Sequence, residues 1–283
     1  MKILVTGATG FIGRHVIDCL SDTAHEVIAT GRAKHYDFGD KATYIPADLN
    51  DFKKDFFNYF QCPEVVLHLA WEGLPNYNEL LHIEKNLPTS YCFLKQMIES
   101  GTRDITVLGT CFEYGLQEGC LSENTHGAAP STSYGIAKNS LRIFLEELQK
   151  KYLFNFKWLR QFYIKHGVGQ NPKSLLSQLQ VALDRGDKTF NMSNGEQLRD
   201  YLPIETTANN IVRIALQNKV QGIVNNASGT PVSIRRLVEE YVRQAGQYIT
   251  LNLGYYPYTT YEPMAYWGNI DKLNRCLEIK ENG

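Results

Sequence analysis

The sequence lacks the features that would place it in several large classes of protein. Its formal net charge is only −1 over 283 residues, so nothing indicates nucleic-acid binding or an acidic tail. No apolar run approaches the roughly 20 residues that span a bilayer. The six cysteines form no C-x-x-C pair, which favours reduced thiols in a cytoplasmic protein over a disulfide framework or a zinc site. We therefore expect no bound metal, no membrane partner and a cytoplasmic location.

What is present is an alternation of short β-branched runs with helical stretches. A chain of this length forms one large domain or two modest ones. The apolar runs are continuous rather than alternating, as expected for strands buried on both faces. The pattern predicts an α/β fold, a Rossmann-like doubly wound parallel sheet. We predict strands at 2–6, 25–30, within 42–49, 64–71, 104–110 and 156–164, with helices at 13–22, 79–101 and 134–152.

The rhythm changes after about residue 165, where the turn cluster GVGQNP begins. We therefore divide the chain into a dinucleotide-binding domain over 1–164 and a smaller C-terminal substrate-binding lobe over 165–283. Some elements of this lobe are expected to return to the sheet. Its predicted elements are helices at 174–185, 205–218 and 233–246, and a strand in GIVNNAS at 222–228.

A glycine-rich turn stands between the first predicted strand and the first predicted helix. Its motif, VTGATGFIG, places three glycines at three-residue spacing. Glycines there let the backbone approach a pyrophosphate closely, while the helix N-terminus supplies N–H donors and the positive end of a dipole. A strand before the loop and a helix after it are the context that a dinucleotide site requires. We predict cofactor contacts from Gly7, Thr9, Gly10, Phe11, Ile12 and Gly13.

The end of the second predicted strand bears on which dinucleotide binds. An NAD site usually has an acidic residue there, which binds the ribose hydroxyls. Glu26 begins this strand and so lies at the opposite end, whereas the strand ends at Thr30, Gly31 and Arg32. No carboxylate in this stretch would repel a 2′-phosphate, and the arginine can pair with one. The pattern favours NADP(H) over NAD(H), with a solvated surface role for Arg32 as the alternative.

Tyr134 and Lys138 stand four residues apart on a predicted helix and therefore share one face. A tyrosine with an ordinary pKa near 10 is a poor acid–base group at neutral pH. A nearby ammonium group favours the phenolate, so we expect Lys138 to lower the pKa of Tyr134. Thr110 ends the fifth predicted strand, at the edge where ligands bind in open α/β sheets. Its hydroxyl can hydrogen-bond an oxygen that gains charge during carbonyl reduction.

Taken in order, these motifs resemble those of one family. The chain looks like an extended short-chain dehydrogenase/reductase of the NAD-dependent epimerase/dehydratase group, which acts mostly on nucleotide sugars. The resemblance implies a nucleotide-sugar substrate and a homodimer formed through the helices around 80–99 and 134–151. The matching pieces run from residue 3 to about 240 and are TGATGFIG, ADL, HLA, GTCFEYG, YGIAK, LRQF, HGVGQ, RDYL and NNASGTPVSIRRLVE.

The resemblance also implies which residues contact the cofactor. Lys138 would hold the nicotinamide ribose, in addition to its role beside the tyrosine. Asp48 would lie by the adenine, and Leu49, Leu69 and Ala70 would line the rest of the cofactor site.

At the substrate, the resemblance makes Tyr134 the acid–base tyrosine and Thr110 its hydroxyl partner. Arg199 would hold the substrate diphosphate, a bidentate role that a guanidinium suits. Phe112 and Tyr163 take substrate-binding positions, the latter where the group often has an asparagine.

Departures from the family pattern reduce the number of reactions that the chain is expected to catalyse. Dehydratases of the group carry Asp-Glu directly after the catalytic threonine, but Cys111 and Phe112 stand here, so water elimination is not expected. Glu113 comes one place too late and is interpreted as structural. The remaining interpretation is an NADPH-dependent reductase of a nucleotide-linked 4-keto-6-deoxyhexose, for example dTDP- or CDP-linked, in bacterial surface-glycan or related deoxysugar biosynthesis. The alternatives are a nucleotide-sugar 4-epimerase with bound NAD and a non-catalytic NADP(H) sensor.

Several other polar and aromatic residues allow a structural interpretation. His68 follows a buried strand and is expected to be packed rather than catalytic. Asn86 matches an asparagine that supports the active-site strands in the family. The aromatic residues near the C-terminus either close over a nucleotide base or pack the lobe. They are Tyr255, Tyr256, Tyr258, Tyr261, Tyr266 and Trp267.

Overall fold

A computed structural model of the chain describes residues 1–125, 129–165, 167 and 169–278. The strands are β1 (Lys2–Thr6), β2 (Glu26–Thr30), β3 (Thr43–Tyr44), β4 (Val65–His68), β5 (Asp104–Thr110), β6 (Gly119–Leu121), β7 (Asn155–Gln161), β8 (Tyr163–Ile164), β9 (Thr189–Asn191), β10 (Leu198–Leu202), β11 (Gly222–Asn226), β12 (Pro231–Ser233), β13 (Thr250–Asn252) and β14 (Tyr266–Gly268). The α-helices are α1 (Phe11–Leu20), α2 (Phe56–Tyr59), α3 (Leu87–Ser100), α4 (Ser133–Gln149), α5 (Leu175–Arg185), α6 (Ile204–Leu216), α7 (Ile234–Gln244) and α8 (Asp271–Glu278). In the HGVGQ motif, His166 and Val168 lie outside the described residues.

Seven parallel strands form the central sheet, in the order β11–β7–β5–β4–β1–β2–β3. This arrangement confirms the predicted α/β, Rossmann-like fold. Thr6 at the end of β1 pairs with Thr30 of β2 on one side and with His68 of β4 on the other. The chain order reverses between β1 and β4, and ligands of open α/β sheets bind at the carboxyl ends of the strands beside such a reversal.

The two faces of the sheet bury separate hydrophobic cores. Ile3 and Val5 pack with α1, α6 and α8 on one face, whereas Leu4 packs with α2, α3 and α4 on the other. Successive side chains of a strand point to opposite faces, so a strand covered on both faces needs apolar residues at every position. This explains the continuous apolar runs in the sequence.

Two predicted elements differ in the structure. The strand predicted at 156–164 divides at Phe162, because β7 belongs to the central sheet and β8 leaves it to pair with β10. The helix predicted at 79–101 begins with a π-helical turn, His82–Asn86, before α3. Pro88 follows as the second residue of α3, where it has no N–H group to donate to the preceding turn.

The C-terminal part of the chain contributes to two places. β11 forms the edge of the central sheet beside β7, while α6 and α8 pack on one face of that sheet. α5 and α7 instead bury their own cluster with the paired strands β9 and β13, and β8, β10 and β12 form a three-stranded sheet. Across the described ranges, no helix combines the length and apolar character that crossing a membrane requires.

Candidate active site

A cavity of about 900 Å³ opens at the carboxyl ends of β1, β2, β4 and β5. Its lining extends from the glycine loop to the start of α4. Among the residues predicted from the sequence to form the site, all but Arg199 line this cavity. They are Gly7, Thr9, Gly10, Phe11, Ile12, Gly13, Arg32, Asp48, Leu49, Leu69, Ala70, Thr110, Phe112, Tyr134, Lys138 and Tyr163.

The glycine loop joins β1 to α1 in a turn that leaves no room for a side chain at Gly7 or Gly13. Gly7 has a φ of +68°, and a Cβ there would lie 2.7 Å from the backbone N of Ala70. A Cβ on Gly13 would lie 2.3 Å from the carbonyl oxygen of Gly7. Gly10 caps α1, so the first N–H groups of the helix lie beside the cavity. The loop therefore forms a backbone cradle that suits a pyrophosphate.

Thr110 is fixed at the end of β5 by the turn that follows it. Its hydroxyl accepts from the N–H of Phe112 at 3.3 Å, and its own N–H donates to Oε1 of Glu113 at 2.8 Å. The Glu113 carboxylate also accepts from Nε1 of Trp158 and from Nε of Arg160 at 3.0 Å. This buried network is consistent with the structural interpretation of Glu113, since it holds the backbone that presents the threonine hydroxyl.

Tyr134 lies in the first turn of α4, close to the turn after Thr110. Thr132 caps the helix by accepting from the N–H of Gly135 at 3.1 Å. A Cβ on Gly135 would lie 2.7 Å from the carbonyl oxygen of Phe112, so a glycine here lets the helix approach that turn closely. A hydrogen bond between the Thr110 and Tyr134 side chains favours the phenolate and so acts to lower the pKa of Tyr134, against the stronger effect of burial.

Lys138 contacts other groups than the tyrosine hydroxyl. Its Nζ donates to the carbonyl oxygen of Leu108 at 2.7 Å and lies 3.9 Å from the centre of the Trp71 ring. Burial lowers the pKa of Lys138 to about 7, and the carboxylate of Glu113 acts in the opposite direction. The ammonium form is therefore held mainly by a carbonyl and an aromatic face.

The expected activation of Tyr134 by Lys138 is wrong for this structure. Burial raises the pKa of Tyr134 well above its ordinary value, and Lys138 does not offset this rise. Desolvation dominates because Trp71, His82 and Phe112 enclose the phenol ring, with ring centres 5.3 to 6.0 Å away. The phenol accordingly keeps its proton at neutral pH.

Arg32 lies at the end of β2 as predicted, but a carboxylate accompanies it. Both Arg32 and Lys85 form ion pairs with Glu72, which lies in the loop after β4. The expectation that no carboxylate lies near Arg32 is therefore wrong. It failed because Glu72 is distant in sequence from β2 and is brought there by the pairing of β4 with β1 and of β1 with β2.

Arg199 does not line the cavity and is 1% exposed, but it contacts Glu262, which does line the cavity. Its Nη1 donates to the carbonyl oxygens of Leu198 and Met264, and its Nη2 lies 3.4 Å from Oε2 of Glu262. The guanidinium also lies 4.9 Å from the centre of the Tyr266 ring. Its guanidinium is buried and committed to two backbone carbonyls and to Glu262, so it does not line the cavity itself, and its role in holding the substrate diphosphate stays a prediction.

The residues interpreted as structural have partners that fit that interpretation. Nδ1 of His68 lies 2.9 Å from the hydroxyl of Thr6 and Nε2 lies 3.0 Å from that of Ser90. Burial, and secondarily Lys138, lowers the pKa of His68 to about 3, so the ring is neutral. Asn86 donates to the carbonyl oxygen of Glu72 at 2.9 Å and so holds the loop after β4.

The two residues after Thr110 cannot supply the acid pair of a dehydratase. Cys111 is buried beside the hydroxyl of Tyr266 at 3.6 Å, and burial raises the pKa of its thiol to about 12. Phe112 stacks on Tyr77 with ring centres 4.5 Å apart. This end of the cavity is therefore aromatic and largely desolvated.

Several cavity residues were not found from the sequence. Trp71, Glu72 and Lys85 come from the segment between β4 and α3 and follow no recognisable spacing. The aromatic residues near the C-terminus lie in different surroundings. Tyr261 lines the cavity, whereas Tyr255 and Tyr256 are exposed and contact each other edge to face. Others in the lining are Tyr77, Tyr201 and Glu262.

Comparisons with known proteins agree with this geometry. A sequence profile of the NAD dependent epimerase/dehydratase family matches residues 3–227. The chain is 34% identical over 275 residues to a dTDP-6-deoxy-L-talose 4-dehydrogenase (NAD(+)) of Aggregatibacter actinomycetemcomitans, over 95% of this chain and 99% of that protein. It is 25% identical over 247 residues to a GDP-6-deoxy-D-talose 4-dehydrogenase of the same organism, over 84% of this chain and 78% of that protein.

A similar fold is also found among solved structures. A UDP-glucuronic acid 4-epimerase from Bacillus cereus, solved in complex with UDP-glucuronic acid and NAD, matches with a TM-score of 0.85. The match covers 100% of this chain and 95% of that one, at 22% identity. This likeness supports the fold.

Proposed function

The chain belongs to the NAD dependent epimerase/dehydratase family, and we propose that it exchanges a hydride between a nicotinamide dinucleotide and C4 of a nucleotide-linked 6-deoxyhexose. The observation that carries this proposal is that Thr110, Tyr134 and Lys138 line the same cavity as the glycine loop. The sugar class is supported by two relatives named as 4-dehydrogenases of nucleotide-linked 6-deoxytalose.

The chain's own residues fit the cofactor. A Cβ at Gly7 or Gly13 would fill the cradle beside the start of α1, so the backbone there can accept a pyrophosphate. When bound, the nicotinamide ring supplies or accepts the hydride. Lys138, in the same cavity lining, can donate to a ribose hydroxyl in place of the carbonyl of Leu108.

Tyr134 and Thr110 handle the oxygen on C4 of the sugar. In the reductive direction, the carbonyl oxygen gains negative charge as the hydride reaches carbon, and the Thr110 hydroxyl stabilises it by hydrogen bonding. Tyr134 then gives its proton to this oxygen, and the product is a C4 alcohol. A phenol whose pKa burial raises is protonated at neutral pH, which is the form that reduction needs. We propose the 4-keto-6-deoxyhexose as the substrate, in deoxysugar biosynthesis.

Oxidation of reduced cofactor by dTDP-, CDP- and GDP-linked 4-keto-6-deoxyhexoses tests this proposal. We expect at least one of these to oxidise the cofactor stoichiometrically and to yield the 6-deoxyhexose. Absence of turnover with the whole panel would overturn it. With dTDP-glucose or GDP-mannose and NAD we expect no 4-keto-6-deoxy product, because Cys111 and Phe112 replace the acid pair of the dehydratases.

A nucleotide-sugar 4-epimerase is the second candidate, because several relatives are named as UDP-glucose or UDP-glucuronate 4-epimerases. An epimerase would interconvert two C4 alcohols with no net change in cofactor. Incubation with UDP-glucose and UDP-glucuronic acid, followed by product analysis, distinguishes the two. A binding-only sensor would turn over neither set.

We also propose a homodimer, formed through the exposed faces of α3 and α4. Phe144 is 43% exposed and contacts Tyr91 across these helices at 5.5 Å between ring centres. Ile136 and Ile143 add apolar surface on α4. Light scattering should give twice the chain mass, and Phe144→Lys should shift it toward the monomer.

A further inference from the structure

Four charged side chains meet at the end of the cavity beside β2. Glu72 pairs through one carboxylate oxygen with Arg32 and through the other with Lys85. Asp48 lies in the same lining, where its carboxylate accepts from the backbone N–H and the side chain of Asn50. Because Arg32 is the second residue after β2, this is the place where Rossmann folds bind the adenosine ribose.

The position of Glu72 is set by the protein rather than by its cationic partners alone. Its carbonyl oxygen accepts from Nδ2 of Asn86 at 2.9 Å, and its N–H donates to Oδ1 of the same residue at 3.4 Å. Burial acts to raise the pKa of Glu72, but Lys85 and Arg32 more than offset this, so its pKa is lowered. The carboxylate is therefore ionised and held beside both cations.

The charges of this cluster balance, with two carboxylates against two cations. The 2′-phosphate of NADP(H) would bring further negative charge, and it would have to displace Glu72 from Arg32 and Lys85 to form its own ion pairs. The ribose hydroxyls of NAD(H) need no such displacement, and a carboxylate can accept from them. We propose that Glu72 makes the chain select NAD(H) over NADP(H), by holding the two cations that a 2′-phosphate requires. This rests on the proposed function only in taking a nicotinamide dinucleotide as the cofactor.

The test is the affinity of the full chain for NADH and NADPH, measured by fluorescence titration. Glu72→Gln keeps the side-chain shape and removes its charge. We expect the wild type to favour NADH, and the variant to bind NADPH about 10- to 100-fold more tightly, as expected for newly available charge-assisted contacts. NADH binding should change far less. Asp18→Asn is the matched control, because it removes a carboxylate from the ion pair with Lys41 outside the cavity, and it should leave both affinities unchanged.

A double variant identifies the cation concerned. If Glu72→Gln acts by freeing Arg32, then adding Arg32→Ala should remove most of the gain in NADPH affinity. A wild type that favours NADPH, or a ratio of the two affinities that Glu72→Gln does not change, would overturn the inference. Binding that follows these expectations without turnover of any nucleotide sugar would instead contradict the proposed function and leave the role of Glu72 standing.

Discussion

The two ends of the cavity are encoded in different ways. At the cofactor end, the backbone cradle is built from one short stretch, in which Gly7, Gly10 and Gly13 turn the chain from β1 into α1. The sugar end draws on segments far apart in sequence, and Tyr163 contacts Glu262 although 99 positions separate them. Local spacing therefore identifies the cradle, whereas the contact between Tyr163 and Glu262 forms only after the chain has folded.

The ends also differ in their electrostatics. Beside β2, Arg32 and Lys85 are substantially exposed, and their pairing with Glu72 occurs partly in solvent. At the sugar end, burial raises the pKa of Tyr77, Tyr134 and Tyr163 above the ordinary value. The comparison indicates that the charged cluster beside β2 is partly solvated, whereas the proposed proton-transfer groups lie in a buried aromatic environment where hydrogen bonds are stronger.

Replacing Tyr134 with phenylalanine should have the largest effect, and it should lower turnover without weakening cofactor binding. The change removes the transferred proton and little volume, so turnover should fall by roughly 10²–10⁴-fold, the usual contribution of general acid catalysis. Cofactor affinity should stay nearly unchanged, because the glycine cradle is intact. Steady-state oxidation of reduced cofactor and a separate binding titration measure the two effects.

Tyr77→Phe is the matched control for this experiment. It removes a phenol hydroxyl from the same wall, with ring centres 5.8 Å from Tyr134, and we expect a loss of turnover below about tenfold, which is the size of one ordinary hydrogen bond. Equal losses in both variants would show that the wall as a whole matters, and that Tyr134 is not the specific proton donor. Wild-type turnover in Tyr134→Phe would contradict the mechanism directly.

Glu113→Gln should disrupt the buried hydrogen-bond network that holds Thr110 at the sugar end, and so destabilise the protein. The carboxylate is buried and serves the N–H of Thr110, the indole of Trp158 and the guanidinium of Arg160. Removing one member of a buried ion pair leaves the other charge uncompensated and costs about 3–5 kcal/mol. The free energy of unfolding, from urea titration, should fall by this amount.

The partly exposed i,i+4 pair of Arg142 and Glu146 on α4 supplies the control, because Glu146→Gln should cost less than about 1 kcal/mol. If Glu113→Gln loses no more stability than Glu146→Gln, the buried network does not hold Thr110 in place.

The same contrast explains what the sequence allowed us to predict. Continuous apolar runs indicated the parallel sheet, and the glycine spacing located the cofactor loop, because both follow from local geometry. The pairing of Glu72 with Arg32 could not be predicted, since it depends on which strands lie adjacent in the sheet. Arg199 has the residue type of a diphosphate ligand, but its direction is set by packing against Tyr266 and Leu198, which no spacing reveals.

Lys138 lines the cavity, and we expect its replacement to change both the activity and the stability of the protein. Burial lowers its pKa to about 7 in the folded chain, against an ordinary value of 10.5 that applies when the chain is unfolded. The unfolded state therefore binds more protons between these values, and the folded state is penalised increasingly as pH falls from 10.5 to 7 and fully below 7. Lys138→Met should remove this penalty and raise the free energy of unfolding by about 1 kcal/mol or more at neutral pH, while lowering turnover and cofactor affinity.

Urea unfolding at pH 7 and pH 9 without added dinucleotide measures this effect, and the advantage of the variant should be smaller at pH 9. Lys150→Met, at an exposed ion pair with Glu147, should change stability by less than about 1 kcal/mol at either pH. A Lys138→Met variant that is less stable than wild type at pH 7 would contradict the argument.

Tyr163→Phe should give the smallest effect and confine it to the sugar end. The hydroxyl contacts Glu262 and lies 2.7 Å from that of Tyr266, so its removal leaves a cavity carboxylate with one donor fewer. Loss of one such hydrogen bond should raise the KM for the nucleotide sugar by about 2- to 10-fold. Turnover at saturation and cofactor affinity should stay near wild type, as should all constants of Tyr255→Phe, which alters an exposed tyrosine outside the cavity lining. A change in cofactor affinity in Tyr163→Phe would mean that the two ends are energetically coupled. The cofactor and the nucleotide sugar would then not bind independently, although the two ends come from different parts of the sequence.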